Sequence, residues 1–200
     1  MTTNRLEAFS DGVLAIIITI MVLELKVPHE GVTLDALKPM LPVFLSYVLS
    51  FIYVGIYWNN HHHMLHAVEH VDGKALWANL FLLFWLSLVP VTTSWMGEHY
   101  NSSIPVALYG VVLLMAAVAY TLLQNTLLKL EGKESALARS IGSDGKGKLS
   151  LLLYIAGIGL AFVNTWLSMA AYIIVAFMWV VPDKRIENTI IAKEKHERLH

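Results

Sequence analysis

Five apolar stretches, at residues 6–25, 40–58, 75–95, 104–128 and 149–181, take up more than half of this 200-residue chain. A membrane-crossing helix needs about 20 apolar residues, so each stretch is long enough to span a bilayer. Charged residues supply only 14% of the chain and apolar residues 56%, against roughly 25% and about 45–50% in soluble domains. That little charge cannot cover a globular surface, which excludes a soluble enzyme. Intrinsic disorder is excluded as well, because its signature is the reverse. A net charge of −1 leaves no basic footprint for nucleic acid. Cysteine is absent, which removes disulfides, thiolate metal sites and a cysteine nucleophile. The composition therefore points to an all-α, polytopic membrane protein in the lipid bilayer.

The last stretch is too long for one span. Its 33 residues would make a helix of about 50 Å. The Asn164-Thr165 pair near its middle reads as a tight turn, which divides it at 149–163 and 166–181. Six spans result, and without that turn the count falls to five. Residues 1–182 then form one transmembrane unit with no internal repeat, followed by a charged tail at 183–200 that reads as a solvated helix. The long polar linker at 129–148 contains Gly-Ser-Asp-Gly-Lys-Gly, a composition that suits a mobile segment. The start lacks a small-residue cleavage site and reads as a retained helix. With the N-terminus inside, Arg5, Lys74, the linker group Lys129, Lys133, Arg139, Lys146 and Lys148, and the tail group Lys184, Arg185, Lys193, Lys195 and Arg198 all face the cytoplasm. Only Lys26 and Lys38 fall outside. By the positive-inside rule this predicts a multi-pass protein of the cell membrane with both termini cytoplasmic.

Ionisable residues inside a membrane helix are functional candidates, and the first helix holds the densest set. Arg5, Phe9, Ser10 and Asp11 form Arg-x-x-x-Phe-Ser-Asp, followed by an apolar run. Ser10 or Asp11 could simply be an N-cap, but apolar Leu6, Ala8 and Phe9 precede them and argue for an earlier start. At about 100° per residue, Phe9, Gly12, Ile16, Thr19 and Leu23 share one stripe. Ser10 and Asp11 sit roughly 120–140° from Ile16 and must face a different neighbour. A buried carboxylate needs hydrogen-bond donors, and the histidines after span two, Asn79 and Arg5 are the candidates.

These residues resemble the signature of the transmembrane protein 175 family, the lysosomal potassium channel and its prokaryotic homologues. Trp58 with the following histidines, and Asn79 with Leu86-Ser87-Leu88-Val89-Pro90-Val91-Thr92-Thr93, extend the resemblance over the six-helix plan. The single copy of the signature is similar to the prokaryotic type, which implies a homotetramer with its pore at the centre, lined by the four first helices. It further implies a potassium-permeable cation channel, passing monovalent cations with a moderate preference for potassium over sodium. The implied filter and gate is a side-chain constriction at Ile16, with Thr19, Ile20 and Leu23 following outward. The implied signature network of Arg5, Phe9, Ser10, Asp11, Trp58, His62, His63 and Asn79 ties the first helix to spans two and three.

Such a pore cannot work like a carbonyl filter, since the chain has no Thr-Val-Gly-Tyr-Gly loop. An apolar ring offers no replacement ligands, so an ion keeps water or loses hydration energy. Potassium holds water less tightly than sodium, and a narrow apolar neck penalises sodium more. Thr19 hydroxyls would soften the barrier, and the neck can close by dewetting.

His62, His66 and His70 stand at i, i+4 and i+8, with His63 and Glu69 nearby. Imidazoles on one helical face suit zinc or copper; they equally serve as hydrogen-bond partners or pH sensors. The resemblance favours pairing with the signature, so no bound metal or cofactor is expected beyond permeant potassium. Glu24 is either a carboxylate ring at the outer mouth or a solvated helix end. Gly55, Gly110, Gly157 and Gly159 are expected to allow close helix contacts. No Gly-x-Ser-x-Gly, His-Glu-x-x-His or phosphate loop appears, so the chain is not read as an enzyme. The alternative to a channel is a secondary transporter or metal-ion carrier built on the histidine cluster.

Overall fold

The computed structural model describes residues 3–27, 33–68, 70–132, 135, 137–138 and 145–180. The tail at 183–200 lies outside the described residues, as does most of the polar linker between Gly132 and Gly145. Among the described residues the structure is helical throughout, with no strand.

Helix α1 covers Thr3–Leu23, and its 21 residues reach about 32 Å, enough to cross the hydrocarbon layer. Thr3, Leu6, Ser10, Leu14, Ile17 and Met21 are its buried residues, spaced by three and four along one face. A short 3₁₀ turn at Leu34–Met40 runs directly into α2, Leu41–His66. Pro42 lies in the first turn of α2, where a missing N–H costs nothing. Buried Ser46, Ser50, Tyr53, Tyr57, His61 and Met64 line one side of α2. The helix runs two turns past Trp58, so His61, His62, His63 and His66 are helical.

Asp72 caps the next helix, accepting the Ala75 N–H at 2.8 Å. Helices α3, Gly73–Ser87, and α4, Val89–Glu98, form one apolar stretch broken at Leu88. The break follows from Pro90, which has no N–H to give the preceding turn and whose ring crowds its carbonyls. The Thr92 hydroxyl donates to the Leu88 and Val89 carbonyls, at 3.1 and 3.2 Å, and occupies acceptors at this break. Helix α5, Ser103–Glu131, ends where Gly132 takes a φ of 90° that favours glycine.

Helices α6, Gly145–Ala161, and α7, Thr165–Val180, are separated by the turn at Asn164. Asn164 Oδ1 accepts the backbone N–H groups of Trp166 and Leu167, at 2.9 and 3.4 Å, and so starts α7. By length and hydropathy, Thr3–Leu23, Leu34–His66, Gly73–Glu98 and Ser103–Glu131 are long enough to cross a membrane, with Thr165–Val180 a shorter apolar helix.

Helix α5 packs against α3, α4, α6 and α7, while α1 packs against α2, α3 and α4. The core is unusually rich in tyrosine. Tyr109 accepts or donates to Ser50 at 2.9 Å, Thr93 donates to Ser50 at 2.7 Å, and Tyr172 donates to the Val106 carbonyl at 3.3 Å. These bonds satisfy hydroxyls that would otherwise be stranded in an apolar interior. Two glycines make room for Tyr172. A Cβ on Gly157 would lie 2.5 Å from Tyr172 Cε1, and one on Gly110 would overlap the Tyr172 hydroxyl. Gly55 and Gly159 differ from expectation: no atom of the described chain lies within 4 Å of where their Cβ would stand, so they make no close contact here.

Candidate functional site

Helix α1 has two distinct faces, and the signature residues divide between them. The anchored face carries Glu7, Ser10 and Asp11, spaced by three and four and therefore stacked on one side. Ser10 is fully buried. Its hydroxyl donates to the Leu6 carbonyl at 2.8 Å and accepts Asn79 Nδ2–H at 2.9 Å. Asn79, also fully buried on α3, pairs its Oδ1 with His61 Nε2 at 2.7 Å. Since an amide oxygen only accepts, His61 donates from Nε2. One buried chain of hydrogen bonds thus joins α1, α3 and α2.

Asp11 Oδ1 accepts Trp58 Nε1–H at 3.1 Å, a second tie from α1 to α2. The Trp58 ring stacks near that of His62, with centroids 6.1 Å apart and planes at 23°. His62 Nδ1 in turn stands 2.7 Å from Glu7 Oε1, and His66 Nε2 stands 3.7 Å from the same oxygen. The three ties fall within little more than one turn near the start of α1 and orient the helix about its own axis.

The structure distributes the expected network unequally. Ser10, Asp11, Trp58, His62 and Asn79 come together in it. Arg5 is exposed and makes no hydrogen bond or ion pair among the described residues. Phe9 is 53% exposed on the opposite side of α1. His63 is half-buried and stands beside the His62 ring, with centroids 5.6 Å apart. His61 and Glu7, absent from the expected set, are central to it. Both had a sequence signal. Glu7 lies one turn before Ser10 and Asp11 on their own face, and His61 continues the Tyr53–Tyr57 spacing of the buried side of α2. His70 leaves the expected trio, because α2 ends at His66 and the i+8 position is no longer helical.

The second face of α1 is unpartnered in the described chain. Ile16, Ile20 and Leu23 are 58%, 43% and 77% exposed, in line with Phe9 and Gly12. Thr19 is exposed on the same stripe and donates its hydroxyl hydrogen to the Ile16 carbonyl at 2.9 Å. With its hydrogen turned to the helix, the Thr19 oxygen keeps lone pairs free to accept or to coordinate a cation. At the far end, exposed Glu24 accepts the Ser94 hydroxyl at 3.4 Å.

An all-helical membrane protein, with its first helix clamped by a polar face and an apolar face left open, is the class that this fold and site define. The comparisons place it within that class. A family model described as "Endosomal/lysosomal potassium channel TMEM175" matches residues 5–90, which contain the whole anchored network. The chain is 54% identical over 190 residues to a potassium channel of Chryseobacterium sp. (strain P1-3), covering 95% of this chain and 98% of that one. It is 31% identical over 195 residues to a potassium channel of Streptomyces collinus, covering 88% and 91%. Its fold is similar to the crystal structure of a lysosomal potassium-selective channel TMEM175 homolog from Chamaesiphon minutus, with a TM-score of 0.77, 27% identity and 90% and 96% of the two chains covered. The chain belongs to the TMEM175 family. It is not an enzyme but a member of an ion-channel family.

Proposed function

We propose that the chain forms a potassium channel whose pore is lined by α1 from four copies around a central axis. The observation that carries this reading is the unpartnered stripe of α1, bearing Ile16, Thr19, Ile20 and Leu23, directly opposite a face fixed by side-chain hydrogen bonds to α2 and α3. A helix held this firmly on one side, with isoleucines exposed on the other, is suited to present those side chains to identical neighbours. Four copies would converge on a ring of Ile16, with Thr19 oxygens one turn outward. The apolar ring sets a dehydration barrier lower for potassium than for sodium, and it shuts by dewetting. Potassium is the permeant ion in this reading, and no cofactor takes part.

Each chain contributes one unit, residues 1–182, with spans at 6–25, 40–58, 75–95, 104–128, 149–163 and 166–181, and a cytoplasmic tail at 183–200. The protein lies in the cell membrane with both termini in the cytoplasm, following the lysine and arginine asymmetry. The anchoring network then sits at the cytoplasmic end of α1 and Glu24 at the outer end.

The test is ion flux through purified protein in liposomes, potassium against sodium, joined to single-channel recording in a planar bilayer. Unitary currents with potassium favoured are expected. Saturable, coupled exchange without unitary currents would overturn the channel reading in favour of a carrier, and a monomeric mass in mild detergent would overturn the shared pore.

A further inference from the structure

The ties between α1 and α2 place a metal-ligating set where the sequence alone shows only a run of histidines. His62 and His66 are one turn apart on α2, with ring centroids 4.4 Å apart. Glu7, from α1, brings one carboxylate oxygen to 2.7 Å from His62 Nδ1 and 3.7 Å from His66 Nε2. One ligand atom from each of the three residues lies within 4.8 Å of the other two. Around a four-coordinate zinc ion, with bonds of about 2.0–2.2 Å, ligand atoms stand roughly 3.3–3.6 Å apart. The set closes on an ion once the Glu7 carboxylate and His62 Nδ1 move apart by about 0.6 Å or more and the His66 ring turns toward them.

We infer that Glu7, His62 and His66 form a binding site for a divalent transition-metal ion of the zinc class, which would cross-link α1 to α2. The chemistry of the donors selects that class. Two imidazoles and one carboxylate suit zinc, copper or nickel, whereas magnesium and calcium prefer all-oxygen shells. Three protein ligands leave a fourth position for water, as in open zinc sites. To ligate, His62 must carry its hydrogen on Nε2, with Nδ1 free for the metal and the carboxylate ionised. Access is already present, since the His62 and His66 side chains are 37% and 61% exposed while Glu7 is 18% exposed. The tryptophan that stacks on His62 holds its ring from behind, and the same Trp58 is bonded to Asp11. An ion here therefore replaces the Glu7–His62 hydrogen bond with a metal bridge on the face of α1 opposite Ile16.

The experiment is calorimetric titration of zinc chloride into the full-length protein, purified without a polyhistidine tag in a non-chelating buffer. One zinc per chain is expected, together with a rise in Tm on zinc addition and four-coordinate d–d absorption when cobalt(II) replaces zinc. Glu7→Gln and His66→Gln are each expected to weaken zinc binding at least tenfold and to abolish the cobalt bands, while His70→Gln leaves both unchanged. His66 is mostly exposed, so His66→Gln tests the site even where Glu7→Gln does not fold. Binding at one zinc per chain that survives His66→Gln and Glu7→Gln undiminished would overturn the site. So would the absence of stoichiometric zinc binding by the unaltered protein.

Discussion

Replacing Asn79 with alanine removes the α3 side chain that is bonded to both Ser10 of α1 and His61 of α2. Asn79 donates to Ser10 at 2.9 Å and accepts from His61 at 2.7 Å, and all three residues are at most 1% exposed. In Asn79→Ala, His61 Nε2–H loses its acceptor. His61 Nδ1 already has no partner among the described residues, so the whole imidazole is left stranded. Leaving one buried donor unsatisfied costs about 1–3 kcal/mol, and the small void adds to it. Hydrogen bonds between membrane helices average nearer ~0.6 kcal/mol in double-mutant cycles, so a total of about 2 kcal/mol is expected.

Ser10→Ala is milder. It strands only Asn79 Nδ2–H, because the Leu6 carbonyl keeps its backbone partner in the helix, and about 1 kcal/mol is expected. The two changes act on one shared bond, so the double variant should be less destabilised than the sum by about 0.5–1 kcal/mol. In a chain of this size each kcal/mol moves Tm by about 2–4 °C. Thermal unfolding in detergent, followed by circular dichroism, therefore resolves the cycle. Strict additivity of Ser10→Ala and Asn79→Ala, or an Asn79→Ala variant with unchanged Tm, would refute a shared buried bond.

The remaining predictions concern the pore face, the second tie and helix packing. Ile16→Asn should raise sodium permeability relative to potassium in bilayer recordings while the oligomer elutes unchanged; unaltered relative permeability removes Ile16 from the filter. Asp11→Ala removes the acceptor of Trp58 Nε1–H and loosens the start of α1, so oligomer stability or open probability should change before ion preference does; an intact oligomer with altered selectivity alone counts against this role. Gly157→Ala drives a methyl group into the fully buried Tyr172 ring and should cost about 1–3 kcal/mol, read as a fall in Tm. Gly159→Ala, two residues on with open space around it, should leave Tm unchanged or higher.

The histidines show where sequence reasoning reaches its limit. His61, His62 and His63 are chemically identical, and successive residues on a helix differ only by about 100° of rotation. Which of them meets Asn79 depends on how α2 is turned about its own axis, a quantity set by buried Ser46, Ser50, Tyr53 and Tyr57, one to four turns earlier in the helix. His61 takes the buried position, His62 turns to Glu7, and His63 is left at the edge. The glycines behave in the same way. Gly157 and Gly159 differ in sequence by two places, yet only Gly157 faces Tyr172.

The amino-acid sequence by itself determined the properties that are local or additive along the chain. Apolar length set the helices, Pro90 set the break near Leu88, and Asn164 set the turn before α7, because each depends on bonds within a few residues. The 3.6-residue period also separated the Ile16 stripe from the Ser10–Asp11 face before any packing was known. Only the tertiary structure decided which donors serve that face and which carboxylate joins the histidines. Glu7 and His62 are 55 residues apart in the chain, and their meeting depends on the rotation and register of two helices. No local preference encodes those two quantities; they emerge when the buried faces of α1, α2 and α3 are packed together and most buried polar atoms find a partner.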